Sequence, residues 1–103
     1  MTDKKDIETL VEEELVRANN KYPLFHSPHE AFAVLMEEVE ELRTEVQAAE
    51  VNLAGAWGCV KRDEDMTNHI TALYNDTVYA ICEAIQVMAM CKKINMSNLY
   101  SDK

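Results

Sequence analysis

Phe32-Ala33-Val34-Leu35-Met36-Glu37-Glu38-Val39-Glu40-Glu41-Leu42-Arg43-Thr44-Glu45-Val46 is a run in which apolar residues recur at helical spacing. At about 100° per residue, Phe32, Leu35, Met36, Val39, Leu42 and Val46 fall on one stripe of a helix. Glu38, Glu41 and Glu45 form a second stripe on its flank, three and four residues apart and so neighbours on the helix surface. Like charges at that spacing destabilise a helix by roughly a few tenths of a kcal/mol per pair. The repulsion can be offset by solvent, by basic partners or by a hard cation. Position favours the cation, because Glu38 stands beside Leu42 at the edge of the apolar stripe and Glu41 follows one turn along the same edge. A pair at i and i+3, about 5 Å apart in rise, can direct two carboxylates at one point. Oxygen-only ligation of that kind suits Mg²⁺ or Mn²⁺ rather than zinc.

Length and composition bound what this helix belongs to. A chain of 103 residues, 48% of them hydrophobic, makes one domain that buries only about 60 to 65% of its unfolded surface. Some apolar surface is therefore expected to be covered by another subunit. Two glycines and two prolines leave little turn chemistry for hairpins and point to an all-α domain. The formal net charge of −9 disfavours polymeric nucleic acid, whose binding rests on Lys and Arg neutralising phosphates, but it is compatible with a single nucleotide carried with its metal. Cys59, Cys82 and Cys91 show no C-x-x-C spacing and are odd in number, which argues against a disulfide framework or zinc knuckle and fits a reduced, cytoplasmic setting. Met1 to Glu8 lacks an apolar signal region and no run approaches 18 apolar residues, so neither secretion nor membrane insertion is expected.

Along the chain, Ile7, Leu10, Val11, Leu15 and Ala18 predict a packing helix from about Asp3 to Asn20. It ends before Tyr22-Pro23, since the residue preceding proline is pushed out of the α region. The connection Tyr22 to His26 carries two aromatics and Leu24 and reads as a packed loop. Lys21 and His26 can reach a phosphate from it, or else sit on the surface. Ser27-Pro28-His29-Glu30 forms a capping box with proline at the first helical position, opening a second helix expected to run to about Glu50, with His29 facing solvent. Asn52 to Asp65 holds both glycines, Trp57 and the charged run Lys61 to Asp65, and reads as a long connection. There Trp57 is a loop anchor or a base-stacking platform, and Lys61 and Arg62 are solvated or contact a triphosphate.

From about Met66 to Asn95 there is neither Gly nor Pro, and a third long helix is expected, with a possible break at Tyr74-Asn75-Asp76-Thr77 where polar side chains can cap a new start. Its apolar surface is interrupted by a narrow stripe of Asp76, Tyr79, Glu83, Gln86 and Lys93. A helix apolar on both sides of such a stripe is buried in a bundle, which makes Glu83 a half-buried carboxylate. Buried carboxylates are paired, either with Lys or Arg or, here, through a cation shared with Glu38 and Glu41. Met88, Met90 and Met96 read as core and interface filler. The tail from Ser97 to Lys103 reads as fraying.

An E-E-x-x-E motif, Glu37-Glu38-Val39-Glu40-Glu41, followed on a later apolar helix by Glu83-Ala84-Ile85-Gln86 in place of E-x-x-D, resembles the MazG-type all-α nucleoside triphosphate pyrophosphohydrolases. The similarity runs from about Tyr22 to Ile94, with Phe25-His26-Ser27-Pro28-His29-Glu30 and Glu83 to Val87 looking like the compact phage and bacterial branch. The resemblance implies a Mg²⁺-dependent hydrolase, with Mn²⁺ also possible, that converts a nucleoside triphosphate to its monophosphate and pyrophosphate. It implies that Glu38, Glu41 and Glu83 bind metal, that Glu37 orients or deprotonates the attacking water, and that the chain assembles as a homodimer or tetramer. Gln86 departs from the pattern: its amide oxygen can join the metal ligands but brings no charge. The alternative from another class is a MazG-like nucleotide-binding or protein-interaction module with a weakened site. A ferritin-like di-iron bundle needs Glu-x-x-His, which the chain lacks. Asp76, seven residues before Glu83 and so about 10.5 Å away in rise, can serve only a second ion or a substrate group.

Overall fold

In the computed structural model, which describes residues 2–100, Asp3 opens the first helix by accepting a hydrogen bond from the Lys5 N–H at 3.0 Å. The helix α1 spans Lys4–Lys21. It stops where Tyr22, extended ahead of Pro23, still donates its N–H to the Ala18 carbonyl at 2.9 Å. The capping box opens α2: the Ser27 hydroxyl oxygen accepts from the Glu30 N–H at 3.1 Å, and the Glu30 carboxylate reaches back to the N–H of His26 at 2.9 Å, one residue further than the usual partner.

Helix α2 runs Pro28–Lys61, eleven residues beyond the end expected at Glu50. The expected connection over Asn52 to Asp65 is therefore mostly helix, and Gly55, Trp57 and Gly58 lie inside it. Trp57 is no loop anchor, being helical and 59% exposed. Two glycines cost a helix about 1 kcal/mol each relative to alanine, a local penalty that packing overrides. The true end is a Schellman motif. Asp63 takes the left-handed conformation at φ 55°, the Glu64 N–H donates to the Cys59 carbonyl at 2.8 Å, and the Asp63 N–H donates to that of Val60 at 3.2 Å.

Asp65 then caps α3, accepting from both the backbone N–H (2.8 Å) and the hydroxyl (2.5 Å) of Thr67. These two bonds hold the Asp65 carboxyl below its ordinary pKa. Helix α3 spans Thr67–Met96 without the break expected near Tyr74 to Thr77. The polar side chains that could have capped a new start are engaged otherwise: Thr77 donates to the Leu73 carbonyl at 2.7 Å, and Asp76 is bonded by Asn52. Among the described residues the chain is all-helical, with three helices and no strand, and no helix is long and apolar enough to cross a membrane. The fraying expected of the tail concerns in part residues 101–103, which lie outside the described residues.

Two units divide the chain. One comprises the described residues of Met1–Val39 and Ala84–Lys103, and its core is Val11, Leu15, Phe25, Ala31, Ala89 and Met90. Ser97 stitches this unit together, donating to the Lys93 carbonyl at 2.7 Å and accepting from the Phe25 N–H at 3.0 Å. The other unit, Glu40–Glu83, is a helical hairpin of the second half of α2 and the first half of α3.

The inward face of α2 differs from the expected stripe. Ala31, Leu35, Glu38, Leu42, Glu45, Ala49, Asn52, Ala56 and Cys59 are buried or half-buried and step alternately by four and three, the repeat of a coiled-coil seam. Phe32 (64% exposed), Met36, Val39 and Val46, expected inside, face outward. The cause is a one-residue shift of register that takes the small alanines to the interior. On α3, His69, Leu73, Asp76, Ala80, Glu83, Val87, Met90 and Ile94 are buried or half-buried at the same four-three spacing, whereas Tyr79, expected in the polar stripe, points outward.

Candidate metal centre

The seam places polar side chains at regular heptad positions, Glu38, Glu45 and Asn52 on α2 and His69, Asp76 and Glu83 on α3. At the end of the hairpin nearest its turn these satisfy one another. Asn52 donates to Asp76 at 2.8 Å and its amide oxygen stands 3.3 Å from Nδ1 of His69. Gly55 makes room for this arrangement, because the His69 ring occupies the space where a Cβ would stand.

At the other end of the hairpin the facing groups are acidic. Glu41 and Glu83 meet there, and Glu38 precedes Glu41 by one turn of the same unbroken helix; one carboxylate oxygen from each lies within 4.8 Å of the others. Glu38 and Glu83 are half-buried and Glu41 is exposed. A Mg–O distance of about 2.1 Å in an octahedron sets ligand oxygens about 2.9 to 4.2 Å apart, a spacing close to the 4.8 Å within which these oxygens lie. The donors are all carboxylate oxygens, which fit a hard divalent cation. Gln86 is half-buried one turn beyond Glu83, and Glu37 is exposed next to Glu38.

The remaining candidates divide by place. Lys21 and His26 line a cleft of about 710 Å³ within the first unit, together with Glu38, Gln86 and the aromatic ring of Phe25. Lys61 and Arg62 lie twenty and twenty-one residues beyond Glu41, which on a continuous helix is about 30 Å of rise. The Lys61 ammonium sits 5.7 Å from the Trp57 ring centroid and Arg62 pairs with Glu64, so one chain does not bring them to the carboxylates. Asp76 is held by Asn52 and stands apart from the three-carboxylate cluster.

Sequence reasoning passed over Asn52, His69 and Lys93 as functional groups. Lys93 is 3% exposed and lines the same cleft, its Nζ 4.9 Å over the Phe25 ring. The signal for Asn52 and His69 was the heptad register, which only a helix continued through the glycines reveals.

Comparison of the chain with family models, with curated proteins and with solved structures finds no match.

Proposed function

We propose that this chain is a divalent-metal-dependent nucleoside triphosphate pyrophosphohydrolase of the MazG-like kind, releasing nucleoside monophosphate and pyrophosphate. The observation that carries the proposal is the meeting of Glu38, Glu41 and Glu83 on two helices, with carboxylate oxygens within 4.8 Å of one another. These three would hold Mg²⁺, or Mn²⁺ with its similar donor preference, and Gln86 would add an uncharged amide oxygen. When bound, the cation neutralises phosphate oxygens and lowers the pKa of water.

The chain's own part is to position and to move a proton. Glu37, exposed beside Glu38, accepts the proton of the water that attacks phosphorus as the anhydride P–O bond breaks, and its solvent contact lets that proton pass to bulk.

Assembly belongs to the same proposal. Phe32, Met36, Val39, Val46, Leu53, Trp57 and Val60 are all exposed on the outward face of α2 and fall in one heptad register. Such a stripe, interrupted by Arg43 and Glu50 in the same register, is the seam on which a second copy of the chain packs.

Release of pyrophosphate from a panel of ribo- and deoxyribonucleoside triphosphates, with Mg²⁺ and with Mn²⁺, tests the activity, Glu83→Ala serving as control. Turnover lost in the variant supports the proposal, and no turnover of any substrate with either ion overturns it. Nucleotide binding without turnover supports the second reading, a MazG-like binding module, which the uncharged Gln86 favours.

A further inference from the structure

Within the hairpin Glu40–Glu83, α2 has two faces by which it can pack on α3. Leu42, Ala49, Ala56 and Cys59 lie on the inward face and are buried or half-buried, whereas Val46, Leu53, Trp57 and Val60, 43 to 59% exposed, lie outward. The two faces are offset by one residue, about 100° round the helix. Apolar area alone favours the outward set, whose side chains are larger, so something other than hydrophobicity chooses the face.

Two contacts make the choice. The His69 ring fills the space where a Cβ on Gly55 would stand, and turning α2 by one residue brings Ala56 to that place and closes the notch. Asn52 donates to Asp76 at 2.8 Å while its amide oxygen stands 3.3 Å from Nδ1 of His69. The same turn replaces Asn52 by Leu53 and leaves the half-buried Asp76 carboxylate opposite an apolar side chain. Polar partners inside a heptad seam are known to choose register and packing face at a cost in stability.

The consequence reaches the acidic end of the hairpin. Glu41 lies fourteen residues before Gly55 on α2, and Glu83 lies fourteen after His69 on α3. Two heptads along each of two antiparallel helices are the same rise, about 21 Å. The register that seats His69 at Gly55 is therefore the one in which Glu41 meets Glu83.

We infer that Asn52 and Asp76, with His69 in the notch at Gly55, are positioning residues that select the face of α2 packed on α3 and thereby hold Glu41 opposite Glu83. The use of Glu41 and Glu83 as metal ligands rests on the proposed activity; the selection of the face does not.

Replacing both partners, Asn52→Leu with Asp76→Leu, separates selection from stability, because an apolar pair in place of a buried polar one leaves stability unchanged or raises it. Methyl cross-peaks of the isotope-labelled full chain, free of metal, read the face. In the parent, Ala49 and Ala56 meet Leu73 and Ala80. In the double-leucine chain, which melts no lower, Val46 and Leu53 meet them, and the exchange Asn52→Asp with Asp76→Asn restores the parent pattern. A double-leucine chain that keeps the parent pattern overturns the inference, as does an exchanged pair that fails to restore it. If the double-leucine chain does not fold, Asn52→Ala with Asp76→Ala is read in the same way, and loss of folding there too makes the pair structural and overturns the inference. Calorimetric titration with Mn²⁺ separates the two proposals. The double-leucine chain binds at least about tenfold more weakly than the parent, the lower end of what groups behind metal ligands contribute, and the exchanged pair recovers most of the loss. Equal affinity in parent and double-leucine chain overturns the positioning role. A parent that binds no Mn²⁺ while the variants show the change of face sinks the metal reading alone.

Discussion

Asn52 on α2 donates to Asp76 on α3 at 2.8 Å while its carbonyl oxygen faces His69 at 3.3 Å, so both ends of one amide are used inside the hairpin. Removing the amide leaves a half-buried carboxylate short of a donor, which costs about 1 to 3 kcal/mol. Asn52→Ala is expected to lower stability to urea by that amount, and Asn52→Asp by more, because a like charge then faces Asp76. An unchanged midpoint in both variants would show that the pair contributes nothing.

The two glycines of α2 respond in opposite directions. Gly58→Ala places its Cβ 3.2 Å from an Arg62 guanidinium nitrogen, which is free to give way, so the variant gains up to about 1 kcal/mol of helix propensity. Gly55→Ala gains the same propensity but displaces the His69 ring and its contact with Asn52. Chemical denaturation should therefore find Gly58→Ala more stable and Gly55→Ala less stable than the parent.

What the sequence made legible follows from which signals are local. The capping box at Ser27 and Glu30, the stop before Pro23 and the all-α class rest on short-range chemistry, and all three appear in the structure. The end of α2 does not, since it depends on Asp63 adopting a left-handed conformation that glycine normally supplies. The inward face differs from the expected stripe because Phe32 and Met36 are more hydrophobic than Ala31 and Ala49, yet small residues are what allow two helices to approach. The cluster of Glu38, Glu41 and Glu83 was anticipated by pairing two motifs, and the structure brings those carboxylates together. Lys93 stood in the expected polar stripe, but its burial against Phe25 depends on a loop whose path no spacing rule reveals.

Charge at the helix ends sets a dependence on pH. The Asp65 carboxyl is lowered by its bonds from Thr67, so its contribution is present above the ordinary value of 3.8 and is lost as pH falls below that through the folded pKa. The Lys92 ammonium is raised, first by its hydrogen bond to Glu12, so its contribution is present below 10.5 and is lost as pH rises above that through the folded value. Melting temperatures followed across both windows should show the acid loss diminished in Asp65→Asn and the alkaline loss diminished in Glu12→Gln.

The outward stripe of α2 gives an expectation for assembly. Replacing Phe32 and Trp57 together by glutamine removes two large exposed apolar groups, 64% and 59% exposed, from that stripe. If the stripe packs against a second copy, light scattering at micromolar concentration returns a mass above 11.8 kDa for the parent and close to it for the variant. A parent of 11.8 kDa removes the basis for a shared interface.

Gln86 offers the sharpest test of the proposed metal site. It lies three residues after Glu83 on α3, half-buried, and shares the cleft wall with Glu38. Gln86→Asp adds a fourth carboxylate to the three that already approach one another. Without metal the added charge faces Glu83 at helical i,i+3 spacing, which lowers stability by roughly a few tenths of a kcal/mol. With Mg²⁺ the same charge becomes a ligand, and ligand charge count is a main determinant of hard-cation affinity. The variant is therefore expected to be slightly less heat-stable than the parent in chelator, to bind Mg²⁺ more tightly by calorimetry, and to show the larger rise in melting temperature on adding the ion, since a ligand stabilises only the state that binds it. Magnesium binding unchanged or weakened in Gln86→Asp means that position 86 does not face the ion, and that the metal set ends at the three glutamates.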